Sequence, residues 1–335
     1  MLENQLSRYG AISKSLPFTT GKVFFVVQTA DPQYAEFQAN FPPDAYGISR
    51  VYSTIQSAVT AVAALTDPAA GHVILVKPGD ITDATGDPTS YAETIIIPLA
   101  CANLTIKGMY DARTQGGLPQ IKKGSGSTAL LTVRAAGCII DTLGFNGASS
   151  TGGGILLDDN NSTKTAFGTV IRNCHFKNCV GSTATDSRTG GAIMWSSAGN
   201  AWQVLIEGNR FYKNVGDIVL MGTSNSVPQD VVIRNNIFSG PTASVDSNLY
   251  LAGGSGMNGV IVDSNIFPSV LPSLGSGSVV RYADMTGCVG IFSNNVFGGS
   301  YTTTGFGAAK AAAKLPTTVG IAKNYSDAGL IVREA

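Results

Sequence analysis

Few side chains in this sequence have the type and spacing that catalysis needs, and the first candidates are the adjacent carboxylates Asp158 and Asp159. An inverting glycoside hydrolase uses two carboxyl groups about 6.5–9.5 Å apart, one as acid and one as base. However, Asn-Asn-Ser follows the pair at residues 160–162, which is typical of a turn. We therefore predict a solvated turn here and keep a catalytic pair as the alternative.

A lyase-like site is the second possibility, and it would combine carboxylates that bind Ca²⁺ with a basic residue that abstracts a proton. Asp186 and Arg188 lie in the long loop 182–191, where such a site is most plausible. Further carboxylates occur once per repeat, and carboxylates that are distributed in this way usually make a protein surface soluble. These carboxylates are Asp217, Asp246 and Asp284. We predict no catalytic residue, and the enzymatic alternative rests on Asp158, Asp159, Asp186 and Arg188.

An esterase-like site would need paired Asp residues, an Arg and Gln residues on neighbouring repeats. Asp141 ends a predicted strand, but we find no matching Asp and Arg phrases after it. Gln56 is assigned to a helix cap. An esterase is therefore not expected.

The histidines and cysteines do not follow a metal-binding pattern. We predict that His72 and His175 are strand residues facing solvent or a loop. The five cysteines, at 101, 138, 174, 179 and 288, are predicted to be reduced, buried and apolar in role. We expect no metal and no cofactor. The sequence contains no nucleophile elbow, P-loop or dinucleotide fingerprint.

The composition excludes several classes of protein. Of the 335 residues, 44% are hydrophobic and 13% are charged, with 22 basic and 22 acidic side chains. Disorder needs low hydrophobicity and high net charge, and nucleic-acid binding needs a basic excess. No apolar run approaches the roughly 18 residues of a membrane-spanning helix. Residues 1–20 lack the apolar core of a signal peptide, so we expect no Sec-type export.

A repeat of about 30 residues predicts the fold. Each copy is a run of β-branched residues, then an Asn turn, then an aromatic, and a second short apolar run lies between copies. The clearest copies are VIRNCHF (170–176), VLIEGNRF (204–211), VVIRNNIF (231–238), VIVDSNIF (260–267) and GIFSNNVF (290–297). Two or three strands per repeat without helices between them predict an all-β, right-handed, single-stranded parallel β-helix.

The repeat also predicts two ladders in the stacked turns. The asparagines, which tolerate left-handed backbone, should form a ladder of side-chain amides; these are Asn209, Asn236, Asn265 and Asn295. The closing aromatics should stack from coil to coil; these are Tyr110, Phe145, Phe176, Phe211, Phe238, Phe267, Phe297 and Tyr325.

Three regions follow from this fold. Residues 1–50 are predicted to be an N-terminal arm, 51–300 the β-helix and 301–335 a C-terminal cap. A capping helix is expected over 53–67, with a capping box from Ser53 to Gln56. The segment 308–315 has strong helix propensity and should cover the last coils or a neighbour.

Two resemblances add to this prediction. The stretches VYSTIQSAVTAV (51–62), VILVKPGD (73–80), YAETIIIP (91–98) and LTIKGMY (104–110) resemble the opening of the pectate-lyase-like β-helix superfamily, which includes pectin methylesterases and phage tailspikes. Residues 21–59 are similar to virion structural proteins of tailed bacteriophages, in which an N-terminal segment places the protein on the particle.

These resemblances imply a non-enzymatic component of the virion, assembled in the cytoplasm of the bacterial host. A capsid decoration or head-fibre protein is the expected form, as a homotrimer bound through its arm to the major capsid protein or another virion protein. No nucleic acid or membrane partner is expected. The alternative is a carbohydrate-active tailspike or lyase, or a module that binds host glycan.

Overall fold

The fold is described by a computed structural model that covers most of the chain. The described residues are 21–80, 89–109, 117–124, 126–157, 166–183, 186–196, 201–222, 227–239, 245–267, 279–297, 315–326 and 329–331. They form 27 strands, two α-helices and a single turn of 3₁₀ helix at Ser187–Thr189. The α-helices are α1 (Tyr34–Asn40) and α2 (Ile55–Ala63).

The strands build three parallel sheets that the chain visits in turn, one strand per sheet in each coil. Sheet A contains β1 (Val23–Val26), β2 (Val51–Tyr52), β3 (Val73–Val76), β5 (Thr105–Gly108), β8 (Ile139–Asp141), β11 (Val170–Arg172), β14 (Leu205–Glu207), β17 (Val232–Arg234), β20 (Asn258–Asp263), β23 (Val289–Ser293) and β25 (Val319–Ala322). Sheet B contains β6 (Gln120–Lys122), β9 (Gly144–Asn146), β12 (His175–Lys177), β15 (Arg210–Tyr212), β18 (Ile237–Phe238), β21 (Ile266–Phe267), β24 (Val296–Phe297), β26 (Asn324–Ser326) and β27 (Gly329–Ile331). Sheet C contains β4 (Ile95–Ile97), β7 (Leu131–Val133), β10 (Ile155–Leu157), β13 (Ile193–Trp195), β16 (Ile218–Leu220), β19 (Val245–Tyr250) and β22 (Val279–Asp284). This arrangement confirms the predicted parallel β-helix, and only β27 pairs antiparallel among the described strands.

The closing phenylalanines form a buried stack inside sheet B, as predicted. Neighbouring rings are nearly parallel, with centroids 4.9–5.1 Å apart. The stack runs through Phe145, Phe176, Phe211, Phe238, Phe267 and Phe297. Tyr325 is a correction, because it aligns with Val296 rather than with Phe297 and is 49% exposed. Tyr110 lies outside the described residues.

The asparagine ladder is confirmed at the corner between sheets A and B. Asn236 shows the pattern: its Oδ1 accepts from the backbone N–H of Asn209, and its Nδ2 donates to the Ile206 carbonyl and to Asn265. Each rung is fully buried and repeats these bonds, which satisfies donors that the turn would otherwise leave unpaired. The ladder comprises Asn209, Asn236, Asn265, Asn295 and Asn324.

The helix α2 closes the first coil, but its bounds and cap differ from the prediction. Its N-cap is Thr54, whose hydroxyl accepts from the Ser57 N–H, so Ser53 forms no capping box. The Glu93 carboxylate, from a later coil, accepts from the first two helical N–H groups. Gln56 instead binds the Ile96 N–H through its side chain. The helix is shorter than 53–67 because the chain turns after Ala64.

An outer layer covers the first strands of sheet A. Phe25 of β1 stacks on Phe41 at 4.0 Å between centroids, and Phe37 of α1 packs beside them. Although 1–50 was expected to be an arm, β1 pairs with β2 and β3 inside sheet A. At the other end, β25, β26 and β27 continue sheets A and B past residue 300. Most of the helix-prone segment 308–315 lies outside the described residues.

Candidate functional site

The charged side chains of sheet A form one continuous row on its outer face. They occupy the same position on six successive strands, so parallel pairing places each beside the next. Their signs alternate along the row. We call this row the charge ladder: Lys107, Asp141, Arg172, Glu207, Arg234 and Asp263.

Asp141 is the most enclosed member of the charge ladder, with 2% exposure. Its Oδ2 accepts from Nε and a terminal guanidinium nitrogen of Arg172, at 3.1 and 3.0 Å, and lies 3.4 Å from the Lys107 ammonium. Its Oδ1 accepts from the Thr142 hydroxyl at 2.8 Å and from the Asn173 amide at 3.1 Å. Both oxygens are therefore fully engaged.

These contacts decide the protonation of Asp141. Burial by itself would raise the pKa of this carboxyl, but the hydrogen bonds from Thr142 and Asn173 and the charges of Lys107 and Arg172 outweigh it and lower the pKa. An ionised carboxylate whose lone pairs are all occupied cannot act as an acid and is poorly placed as a base or nucleophile. No matching Asp and Arg phrases were expected after Asp141, and the structure pairs it with Arg172 on the next coil.

The remaining carboxylates of the charge ladder are also held by neighbours. Glu207 accepts from Arg234 at 2.9 Å. Asp263 accepts from Ser293 at 2.6 Å and from Asn294 at 2.7 Å. Burial would raise the pKa of Asp263, but these hydrogen bonds and one from Ser264 lower it. Within the charge ladder, ion pairs therefore join Lys107 and Arg172 to Asp141, and Arg234 to Glu207.

A second row runs beside the charge ladder on the same face, two residues earlier in each strand. Its side chains are aliphatic, and their exposure grows toward the C-terminal coils, reaching 38% at Ile261 and 47% at Ile291. We call it the aliphatic ladder: Ile139, Val170, Leu205, Val232, Ile261 and Ile291.

The candidates of the enzymatic alternative do not come together in the described residues. Asp186 caps the 3₁₀ turn, and its carboxylate binds the Arg188 guanidinium at 2.8 Å. The hydrogen bonds from Arg188 outweigh partial burial and lower the pKa of Asp186. This contact is local to the loop and exposed. Asp158 and Asp159 lie outside the described residues.

The carboxylates near sheet C do not line one face. Asp217 is fully enclosed and accepts from the Asn214 and Asn248 side chains at 2.9 and 2.7 Å. Asp284 holds a turn by accepting from the Thr286 N–H and hydroxyl. The side chain of Asp246 is outside the description.

One of the two histidine predictions is wrong. His175 is exposed on the outer face of sheet B, as expected, and partial desolvation of its ring, followed by the nearby charge of Arg210, lowers its pKa. His72 is only 3% exposed, because its ring joins two chain segments. Its Nδ1 accepts from the Lys22 N–H, and its Nε2 contacts the Asp67 carbonyl, both at 2.8 Å.

A cleft of about 560 Å³ lies at the N-terminal end of the coil, beside His72. Lys22 forms one edge, where its ammonium binds Asp44 and lies 5.4 Å from the Tyr46 ring. Tyr46 is 87% exposed. The hydrogen bond from Lys22 is the main cause of the lowered pKa of Asp44.

The described residues contain no group of three or more His, Cys, Asp and Glu side chains arranged to hold a metal ion. All five cysteines are free and buried, as predicted. Neither α1 nor α2 has the length and apolar character that a membrane-crossing helix requires, within the ranges given above.

Sequence reasoning missed most of the charge ladder, although its signal is present in the repeat. When the phrases are aligned, one column lies four positions before the closing phenylalanine and holds Arg172, Glu207, Arg234 and Asp263. An alternation of sign in one column of a solenoid repeat predicts contact between neighbouring coils.

The sequence matches no protein-family model and no curated protein. Among solved structures, the chain is similar to a pectin methylesterase from Aspergillus niger, with 14% identity over 93% of this chain and 87% of that one and a TM-score of 0.44. It is also similar to YbhC of Escherichia coli, with 12% identity over 93% of this chain and 86% of that one and a TM-score of 0.45. Pectin methylesterase from carrot is similar at 13% identity over 93% of this chain and 85% of that one, with a TM-score of 0.41. The assignment of the parallel β-helix rests on the strand pairing of this chain itself.

Proposed function

We propose that this protein is a non-catalytic structural β-helix that acts through its outer surface. The observation that carries the proposal is the state of Asp141, the best-placed carboxylate of the largest charged cluster described. It is ionised, enclosed and saturated by Arg172, Thr142 and Asn173. Side chains in this state stabilise neighbouring coils and leave no lone pair for a substrate.

Within this class, we propose a component of a tailed-phage virion, as a capsid decoration or head-fibre protein. The resemblance of residues 21–59 to virion structural proteins supports this proposal, and so does the low charge of the chain. The attachment segment would be residues 1–20. Its partner would be the major capsid protein or another virion protein.

Deletion of residues 1–20 tests the attachment. We expect the truncated protein to fold, since α2 and β1 close the first coil without these residues. We expect it to be lost from purified particles, measured by mass spectrometry of the virion. A variant with a scrambled segment of the same composition is the control for length. Normal incorporation of the truncated protein or of the scrambled variant into particles would contradict the proposal.

A carbohydrate-active protein is the second candidate, and one observation favours it. Asp141, Glu207 and Asp263 lie two strands apart along the charge ladder, and two spacings of about 4.8 Å place neighbouring carboxylates roughly 10 Å apart. This is close to the separation in inverting hydrolases. Against it, an arginine lies between each pair of carboxylates.

Digestion of host polysaccharide separates the two candidates. Glu207→Gln removes a partly exposed carboxylate of the charge ladder, and Glu36→Gln is the matched control, since it removes an exposed carboxylate on α1. If the wild-type protein cleaves polysaccharide and only Glu207→Gln loses that activity, the second candidate is correct and the first is wrong. Binding without cleavage would indicate a glycan-binding module. Absence of both is the outcome that the structural proposal requires.

A further inference from the structure

The outer face of sheet A is covered at its N-terminal end and open further along. On β3, the outward side chains of Val73 and Leu75 are buried beneath the aromatic layer of α1. On later strands the position of Leu75 carries the charge ladder and the position of Val73 carries the aliphatic ladder, which ends with Ile291 at 47% exposure. A row of aliphatic side chains on a sheet face, at rising exposure, is typical of a surface that another protein covers.

The charge ladder makes this face complementary to itself in one orientation. Its signs alternate from Lys107 to Asp263. If a second copy lies face to face with its coil axis reversed, and the twofold axis passes between the Glu207 and Arg234 strands, the four central charges meet opposite charges, whereas Asp141 and Lys107 lie opposite the partner's Ser293 and the partner's Ala322, which are uncharged. Glu207 then meets the partner's Arg234, and Arg172 meets the partner's Asp263.

The aliphatic ladder is paired by the same operation. A twofold axis parallel to the strands maps each row onto itself, so aliphatic side chains meet aliphatic side chains. Leu205 would pack on the partner's Val232, Val170 on the partner's Ile261, and Ile139 on the partner's Ile291. If the coils were parallel, with the twofold axis along them, the aliphatic ladder would lie on charged side chains.

We propose that the open face of sheet A binds the same face of a second copy of this chain, antiparallel, about a twofold axis between the Glu207 and Arg234 strands. The interface is isologous, as in most dimers of identical subunits. Charge complementarity selects the orientation, and burial of the aliphatic ladder supplies the hydrophobic contribution. This inference does not depend on the proposed function.

Light scattering of the purified full chain measures the number of subunits. We expect a dimer. Ile291→Lys, at the most exposed position of the aliphatic ladder, should raise the dissociation constant at least about tenfold, because it buries an unpaired charge. Ile266→Lys is the matched control, since Ile266 is equally exposed (47%) but lies on sheet B. It should change the constant less than about twofold.

Other outcomes contradict the proposal. A monomer at all concentrations excludes any self-association. A trimer would exclude the twofold interface. Dissociation caused by Ile266→Lys and not by Ile291→Lys would place the interface on sheet B. Both positions are on the surface, so thermal melting of each variant should match that of the wild type. A variant that fails this check is replaced by Ile291→Ser or Ile266→Ser.

A cross-linking experiment tests the orientation. Val170→Cys and Ile261→Cys chains are co-expressed, one of them tagged, and treated with a bis-maleimide whose reach is about the 10 Å spacing of packed sheets. We expect mixed covalent dimers. Val170→Cys alone should not cross-link, because the two copies of residue 170 would lie three strands apart, about 14 Å along the axis. The native cysteines are buried, which limits their background. Efficient cross-linking of Val170→Cys alone would overturn the antiparallel arrangement.

Discussion

At the scale of single residues, the buried carboxyl of Asp217 is the group most sensitive to pH. Burial raises its pKa to about 7, against hydrogen bonds from Asn248 and Asn214 that lower it. In the unfolded chain an Asp titrates near pH 3.9. The folded protein therefore holds a proton that the unfolded chain has already lost between these two pH values.

This difference predicts the pH dependence of stability. Because the folded pKa is raised, the contribution of Asp217 is full below about pH 4 and is lost as the pH rises toward 7, by up to about 4 kcal/mol. Asp217→Asn cannot titrate, and the Asn248 amide can rotate to accept from it. Relative to the wild type, the free energy of unfolding of Asp217→Asn should therefore increase as the pH rises from 4 to 8. Denaturant unfolding at several pH values measures it, and a constant difference would contradict the assignment.

At the scale of elements, one set of contacts holds each coil to the next inside the β-helix, and a different set does so on its outer surface. Inside sheet B the phenylalanine rings stack, and at the corner the asparagine side chains bond to the backbone of the next coil. Outside, charged side chains pair along sheet A. The inner contacts are buried and contribute most, because exposed ion pairs are individually weak.

The phenylalanine stack tests whether the inner contacts contribute more to stability than the outer ones. Phe238 is 1% exposed between Phe211 and Phe267. Phe238→Ala should lower the free energy of unfolding by about 3–5 kcal/mol, since it leaves a cavity in a close-packed row. Its neighbour Ile237 is 37% exposed on the outer face, and Ile237→Ala should cost less than about 1 kcal/mol. Similar losses in chemical denaturation would mean that the two faces of sheet B are misassigned.

At the scale of the whole molecule, the coils form a one-dimensional stack, so stability should vary along its length. The N-terminal end is closed by α2, which packs Ile55, Val59 and Val62 onto the first coil. Interior coils have a neighbour on both sides. Among the described strands, β25 pairs with a neighbouring coil on one side only, and we expect the coils near it to open more readily than the interior ones.

The buried cysteines report this gradient. Burial raises the pKa of Cys138 and Cys174 to about 12 and that of Cys288 to about 11, so all three are unreactive thiols in the folded state. In native buffer with slow opening, we expect a thiol reagent to label Cys288 before Cys138 and Cys174. Peptide mass spectrometry of timed samples measures the order. Simultaneous labelling would indicate that the β-helix unfolds only as a single unit.

The repeat in the sequence determines much of this fold. Its period, its β-branched runs and its closing phenylalanines predict the parallel coils and the buried stack, because alternation along a strand decides which side chains face inward. The asparagine ladder follows from the same alignment. Where the spacing changes by one residue, the prediction fails: Asn324 keeps its place in the ladder, but Tyr325 follows it directly and faces outward.

Contacts between coils were decided by the tertiary structure. Asp141 and Arg172 are 31 residues apart, and only the register of β8 and β11 makes them partners. The burial of His72 likewise depends on β1 lying beside β3, which brings Lys22 to its ring. Sequence periodicity describes the direction of a side chain within its own strand, whereas its neighbour is set by the length and path of the loop between strands. The candidate surface of this protein is made of such neighbours, so it became visible only once the coils were stacked.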